Sequence, residues 1–201
     1  MTSLRDRKRQ RTRRALVEAA TELFETRGYD ETTVADIASA AEIGTRTFFS
    51  YFASKEEVLF PEADARVAAA IKAIETRSPG ETPVGVLLRT LRDLGTEADE
   101  MVGRTAALRL RLTRTVPAVR GRGLQLQLDA QREIAGHLCE AYPDLDPVAA
   151  GALVGAFVGA TAGALQVLLD EPGALDGDPA ALRERLEAAL ATALRPWAKA
   201  E

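Results

Sequence analysis

An all-α fold follows from three features of the 201-residue sequence: runs rich in Ala, Leu, Arg and Glu dominate it, alternating β-branched segments are absent, and Gly and Pro cut the runs into helix-sized blocks. Hydrophobic residues make up 46% and charged residues 28%, with a mean hydropathy of -0.10, the balance of a soluble globular chain that can bury a core. The length suits one helical body with a small attached module, or two small domains.

The first helix is expected over about residues 5 to 27, with Leu16, Ala20, Leu23 and Phe24 on one face and Gly28 as its stop. After Tyr29, Thr33 caps a second helix. Asp36 completes a capping box and Val34, Ile37, Ala38 and Ala41 form the buried stripe. Glu42, Ile43 and Gly44 make a tight bend. A third short helix, Thr45 to Phe52, buries Phe48 and Phe52 at i and i+4. Ser54-Lys55-Glu56-Glu57 reads as a capping box opening a fourth helix, which Pro61 should kink near Phe60 before it runs on through Ile74. That long kinked helix is expected to join an N-terminal three-helix domain, 1–60, to a C-terminal helical domain, 61–201. Further helices are expected at about 83–94, 97–115, 118–141, 147–170 and 179–195, with an exposed, mobile acidic loop between Glu171 and Asp178.

Charge is unevenly placed. Residues 1–14 carry seven basic side chains (Arg5, Arg7, Lys8, Arg9, Arg11, Arg13 and Arg14) against Asp6, a net +6 that leaves -10 for the rest of a chain whose total is -4. A basic arm on an acidic body suits a protein that meets polyphosphate with one end; the plainer reading is a solvated tail. The single Cys139 excludes an intramolecular disulfide or a multi-thiolate metal site. No apolar stretch follows the basic residues as in a secretory signal, which predicts a cytoplasmic protein. An enzyme finds little support: His137 and Cys139, at i and i+2, point about 200° apart on a helix and cannot form a local nucleophile–base pair. No phosphate-binding Gly loop or metal-ligand spacing is present, so no catalytic residue, cofactor or metal is expected.

Two short helices separated by a tight turn describe a helix-turn-helix, whose second helix lies in the major groove. Residues 32–59, TTVADIASAAEIGTRTFFSYFASKEEVL, resemble the N-terminal signature of the TetR family. The resemblance covers about the first 60 residues; the rest matches in helix count and length. It implies a ligand-responsive transcriptional regulator, a repressor that binds a palindromic DNA operator as a homodimer and is released by a small molecule. It assigns phosphate contacts to Thr33, Tyr51, Lys55 and the amide of Gly44, and base-edge contacts to Thr45, Arg46 and Ser50. The local chemistry agrees at Lys55, a cation in a helical first turn that is disfavoured by roughly 0.3–1 kcal/mol unless a phosphate is near. Arg46 could reach a guanine. Three positions depart from the family: Glu42 stands where Gly is common, Gly44 where Ser or Thr is common, and Phe49 where a Tyr hydroxyl often meets phosphate. At positive φ, Glu42 would store on the order of 1 kcal/mol of strain. The alternative function is a helical scaffold or interaction protein, which leaves the basic arm, Arg46 and Lys55 without a role.

Residues 148–169 carry no charge and are long enough to cross a membrane, but Ala and Gly dominate, acids flank both ends and no basic loop sets an orientation; a buried helix and no membrane partner are expected. Gly151, Gly155, Gly159 and Gly163 recur every four residues along one stripe that lets another backbone approach. By resemblance the last two long helices form the dimer interface, which points to Gly155, Gly159, Gly163, Leu182 and Leu186; packing within the chain is the other reading. Between Met101 and Leu128 six arginines occur with no Asp or Glu. Either they pair with acids on neighbouring helices or some meet an anionic ligand. The RTFFSYF wording and downstream helices look similar to the regulators that bind acyl-CoA-like ligands. That resemblance points to Arg104 and Arg111 for the anion and Leu87, Leu91, Leu108, Leu112 and Phe157 for an acyl chain.

Overall fold

Leu16, Ala20 and Phe24 recur at helical spacing and are buried along one side of the first helix, α1, Leu4–Thr26, in the computed structural model of the chain, which describes residues 4–93, 103–173 and 178–199. Gly28, at φ +92°, ends that run where an L side chain would be strained. All regular structure among the described residues is helical. After α1 come α2, Val34–Ala40; α3, Thr45–Phe48; and a 3-10 turn, Glu56–Leu59. They are followed by α4, Ala63–Glu75; α5, Pro83–Asp93; α6, Arg104–Thr115; α7, Pro117–Ala141; α8, Pro147–Asp170; and α9, Pro179–Leu194. Trp197–Lys199 form a last 3-10 segment. The expected start of a helix at 97 and the middle of the acidic loop, 174–177, lie outside the described residues.

The chain divides into two compact units: Met1–Pro61 with Arg104–Gly123, and Glu62–Gly103 with Leu124–Glu201. The division at 61 falls beside the expected boundary, but the sequence reading gave residues 104–123 to the other domain. In the first unit α1 packs against α2, α6 and the 3-10 turn, and α2 against α3. Thr21 and Thr105 share a hydrogen bond of 3.0 Å between α1 and α6. The second unit buries Ile74, Leu87, Leu91, Leu138, Leu153, Val154, Phe157, Leu182, Leu186 and Leu190 in one cluster, to which α4, α5, α7, α8 and α9 contribute.

The fourth helix differs from expectation. It is not one kinked rod: the expected Ser54–Glu57 capping box is incomplete, the Glu57 amide donating to the Ser54 hydroxyl at 3.4 Å while the Glu57 carboxylate accepts from the Ala53 amide, and only a 3-10 turn follows; Phe60 leaves the helical region at φ -122°, ψ 48°, and α4 starts afresh at Ala63. Pro61 supplies the reason, since its ring crowds a helical residue before it and it donates no amide hydrogen. The break is packed from within its own unit, where a Cβ on Gly123 would come within 3.2 Å of the Phe60 ring.

α8 is the second difference. It has the length and apolarity of a membrane span, with a window of mean hydropathy 1.9, yet only 22% of that window is buried. Ala150, Leu153, Val154, Phe157 and Leu168 face the core, while Val148 and Val167 stand open. The helix is therefore half-buried, with one bare side.

Candidate nucleic-acid interface

Thr33 opens α2 as its N-cap. Its hydroxyl accepts from the Asp36 amide at 3.1 Å, and the Asp36 carboxylate accepts from the Thr33 amide at 2.9 Å, so both halves of the expected capping box are present. Hydrogen bonds from the Thr33 side chain and backbone hold the Asp36 carboxyl below its usual range. α2 ends in a Schellman motif: the Ile43 amide donates to the Ala38 carbonyl at 2.9 Å and the Glu42 amide to the Ser39 carbonyl at 3.0 Å. The motif requires a left-handed residue between them, and that residue is Glu42, at φ 57°. The turn thus places a side chain where the geometry favours Gly.

Gly44 is the N-cap of α3 at φ -80°, with no side-chain cap, as its lack of a hydroxyl dictates. Phe48 and Phe52 are fully buried, with ring centroids 5.8 Å apart. This anchoring rolls the opposite side of α3 outward, and Thr45, Arg46, Thr47, Phe49 and Ser50 are all exposed. Ser50 donates its hydroxyl to the Thr47 carbonyl at 2.6 Å. The three residues expected at base edges therefore share one open face with Thr47 and Phe49.

The residues expected at phosphates are less uniform. Thr33 is exposed but its hydroxyl is engaged by Asp36. Tyr51 is half-buried beneath the Arg9 guanidinium, 5.7 Å from its ring centroid. The Lys55 ammonium lies inward, donating to the carbonyls of Tyr29 at 2.8 Å and Thr32 at 3.0 Å and sitting 3.9 Å from the Tyr29 ring centroid. A buried ring and two carbonyl acceptors account for Lys55 in a first turn without a phosphate. Beside it the Tyr29 hydroxyl donates to the Glu56 carboxylate, and burial followed by this bond pushes the phenol pKa well up.

The basic arm is helical from Leu4 and exposed through Arg11. Arg13 is an exception that the charge count hid. Its guanidinium donates to the carbonyls of Tyr51 at 3.0 Å and Pro61 at 2.9 Å and lies 4.3 Å from the Phe52 ring centroid. Arg9 and Arg13 continue the stripe of Leu16, Ala20 and Phe24 at intervals of three and four residues, which was the signal that these two face the body.

The arginine-rich run resolves into structural pairs. Arg104 bonds Glu25 of α1, Arg122 bonds Glu57 at 2.6 Å, Arg109 donates to the Leu59 carbonyl at 3.0 Å, and Arg120 donates to the carbonyls of Thr113 and Arg114. Arg111 is exposed. The apolar ligand candidates are divided between the units: Leu108 and Leu112 are buried in the first, while Leu87, Leu91 and Phe157 belong to the core of the second. One contiguous site of all seven is not what the structure presents within either unit. Leu182 and Leu186, expected at a dimer interface, are 7% and 4% exposed within the chain's own core and cannot offer that surface. The glycines of α8 behave otherwise. A Cβ at Gly151, Gly155, Gly159 or Gly163 would meet nothing within 4 Å, so no packing among the described residues uses the space they leave.

Residues 16–60 match the family described as bacterial regulatory proteins, tetR family. Two curated relatives share sequence with the chain. The HTH-type transcriptional regulator TcmR of Streptomyces glaucescens is 42% identical over 120 residues, 59% of this chain and 53% of the relative. The HTH-type transcriptional regulator HbdR of Aromatoleum sp. (strain CIB) is 40% identical over 48 residues, 24% of this chain and 21% of the relative. The chain thus spans about half the length of the first and about a fifth of the second. Among solved structures, the Thermus thermophilus FadR repressor in complex with lauroyl-CoA is similar with a TM-score of 0.56 at 24% identity, over 90% of this chain and 93% of that one. SmeT, the repressor of the Stenotrophomonas maltophilia multidrug efflux pump SmeDEF, is similar with a TM-score of 0.53 at 21% identity, over 92% and 89%. These two establish likeness of fold.

Proposed function

We propose, on the match of residues 16–60 to the tetR family, that the protein is a cytoplasmic, ligand-responsive transcriptional repressor that binds a palindromic operator as a homodimer. The observation that carries this reading is the outward face of α3, where Thr45, Arg46 and Ser50 stand exposed because Phe48 and Phe52 are locked in the core. Such a face suits base-edge contact in the major groove, with Arg46 bidentate on a guanine. The exposed arm cations Arg5, Arg7, Lys8 and Arg11 add sequence-independent attraction to phosphate, assisted by the Gly44 amide, Thr33 and Tyr51. Lys55 has a positioning role in this reading, tying α3's end of the domain to the carbonyls that follow α1.

The open glycine side of α8 is the surface proposed for the second subunit, with Gly155, Gly159 and Gly163 at its middle and the outer side of α9 beside it. Two recognition helices would then stand about 34 Å apart, one turn of duplex. The proposed effector is a small molecule with an apolar body and an anionic group, of the acyl-CoA kind, a reading supported by the sequence resemblance and by the lauroyl-CoA bound to the Thermus FadR. Leu87, Leu91 and Phe157 are its apolar candidates. The effector weakens DNA binding by its differential affinity for the two conformations, of the order of 1–3 kcal/mol. Nothing in this scheme requires a membrane, a cofactor or a catalytic group.

Fluorescence anisotropy with duplexes selected by the full chain from a random pool tests the reading. Specific binding is expected. Arg46→Ala should relax the preference at one base pair per half-site by about 1–3 kcal/mol, and Arg5→Gln/Arg7→Gln/Lys8→Gln should lower affinity for all sequences with a shallower salt dependence. Weak binding without sequence preference would return the scaffold reading.

A further inference from the structure

Phe49 is the one large apolar side chain on the outward face of α3, and 57% of it is exposed while its neighbour Phe48 is wholly buried. The two rings meet edge to face, with centroids 5.5 Å apart and planes at 85°, so the exposed ring is braced against the core rather than swinging freely. It sits three residues beyond Arg46 and four beyond Thr45, on the side of α3 that both occupy. A phenyl ring has no donor or acceptor, so it can neither bind a phosphate oxygen nor read the hydrogen-bonding pattern of a base pair. The major-groove edge offers a single apolar mark, the C5-methyl group of thymine. Charge complementarity favours a duplex as the occupant, because the exposed basic arm of α1 and Arg46 belong to the same unit.

We propose that Phe49 is a specificity-determining residue whose ring contacts the C5-methyl group of a thymine in each half-site, next to the base pair read by Arg46. This rests on the DNA-binding reading above and deepens it. A tyrosine hydroxyl at this position would draw the side chain towards phosphate, whereas the phenyl ring converts the position from backbone contact to base reading.

Replacing dT by dU removes that methyl group and nothing else, which makes the test direct. Duplexes selected by the full chain are rebuilt with each dT changed singly to dU, symmetrically in both half-sites, and affinities are compared for wild type, Phe49→Ala and Phe49→Leu. For wild type, one dT position should weaken binding by about fourfold per half-site, the loss expected for one methyl-sized apolar group. Phe49→Ala should lose that discrimination and Phe49→Leu should keep part of it. Because the ratio dT/dU is taken within each protein, a general loss of affinity in a variant does not obscure the result. Wild type indifferent to every dU, or Phe49→Ala retaining the same penalty, overturns the proposal while leaving specific binding, and the regulator reading, intact. Absence of specific binding by wild type overturns both.

Discussion

Glu42 sits at the left-handed position of the turn that joins α2 to α3, at φ 57°, and its replacement by glycine should make the protein more stable. Two opposing effects set the magnitude. A non-glycine residue in this region costs roughly 1–2 kcal/mol from the approach of Cβ to the following carbonyl, and glycine relieves it. Glycine also gives the unfolded chain more freedom, which takes back about 0.4–1 kcal/mol. The net is a gain of about 1 kcal/mol, or roughly 2–4 °C in Tm for a chain of this size. Glu42 is exposed and the amide bonds of the turn are made by backbone groups, so no side-chain contact is lost to confuse the comparison. Thermal unfolding followed by circular dichroism for wild type, Glu42→Gly and Glu42→Val measures it. Val, β-branched, should be the least stable of the three because its side chain fits positive φ worst. Equal Tm for Gly and Glu, together with an unchanged Tm for Val, would refute the strain argument.

The capping box of α2 should be visible in acid. The Asp36 pKa is lowered in the fold, first by the hydrogen bond from the Thr33 side chain and then by that from its amide, so its contribution is full above the ordinary Asp range and is lost as the pH falls through the lowered value. Asp36→Asn should therefore lose less stability than wild type between pH 6 and pH 3 in denaturant titrations, and an equal loss would argue against the box; Thr33→Ala should cost about 1 kcal/mol at neutral pH. Lys55→Met, which keeps the stem and removes the ammonium from two carbonyls, should destabilise the protein by about 2 kcal/mol while leaving the salt slope of DNA binding unchanged. A slope shallower by about one unit would place the ammonium at a phosphate instead.

Local grammar carried most of the fold. Periodic apolar residues, Pro at helix starts and Gly28 at a stop located α1, α2, α5, α7, α8 and α9 close to their observed bounds, because each signal acts within one or two turns of its own residue. The outward residues of α3 were legible for the same reason, since two buried phenylalanines at i and i+4 determine which side remains. The helix expected to continue through Pro61 ends there instead, because crowding by the Pro ring extends back to Phe60 and stops the run rather than bending it.

What the residues alone determined about this protein is therefore its helices, the Thr33 cap, the tight bend at Glu42 to Gly44 and the outward face of α3, all of them consequences of contacts made within a few positions in the chain. The fate of the charges was decided by tertiary structure alone. Arg13, Lys55, Arg109 and Arg122 look alike as free cations in sequence, yet each meets a carbonyl, carboxylate or ring 23 to 65 positions away. Leu182 and Leu186 became core, while the glycines of α8 remained bare, for a related reason: a stripe of small or apolar residues says that something packs there, and only the folded chain shows whether its own helices have already done so.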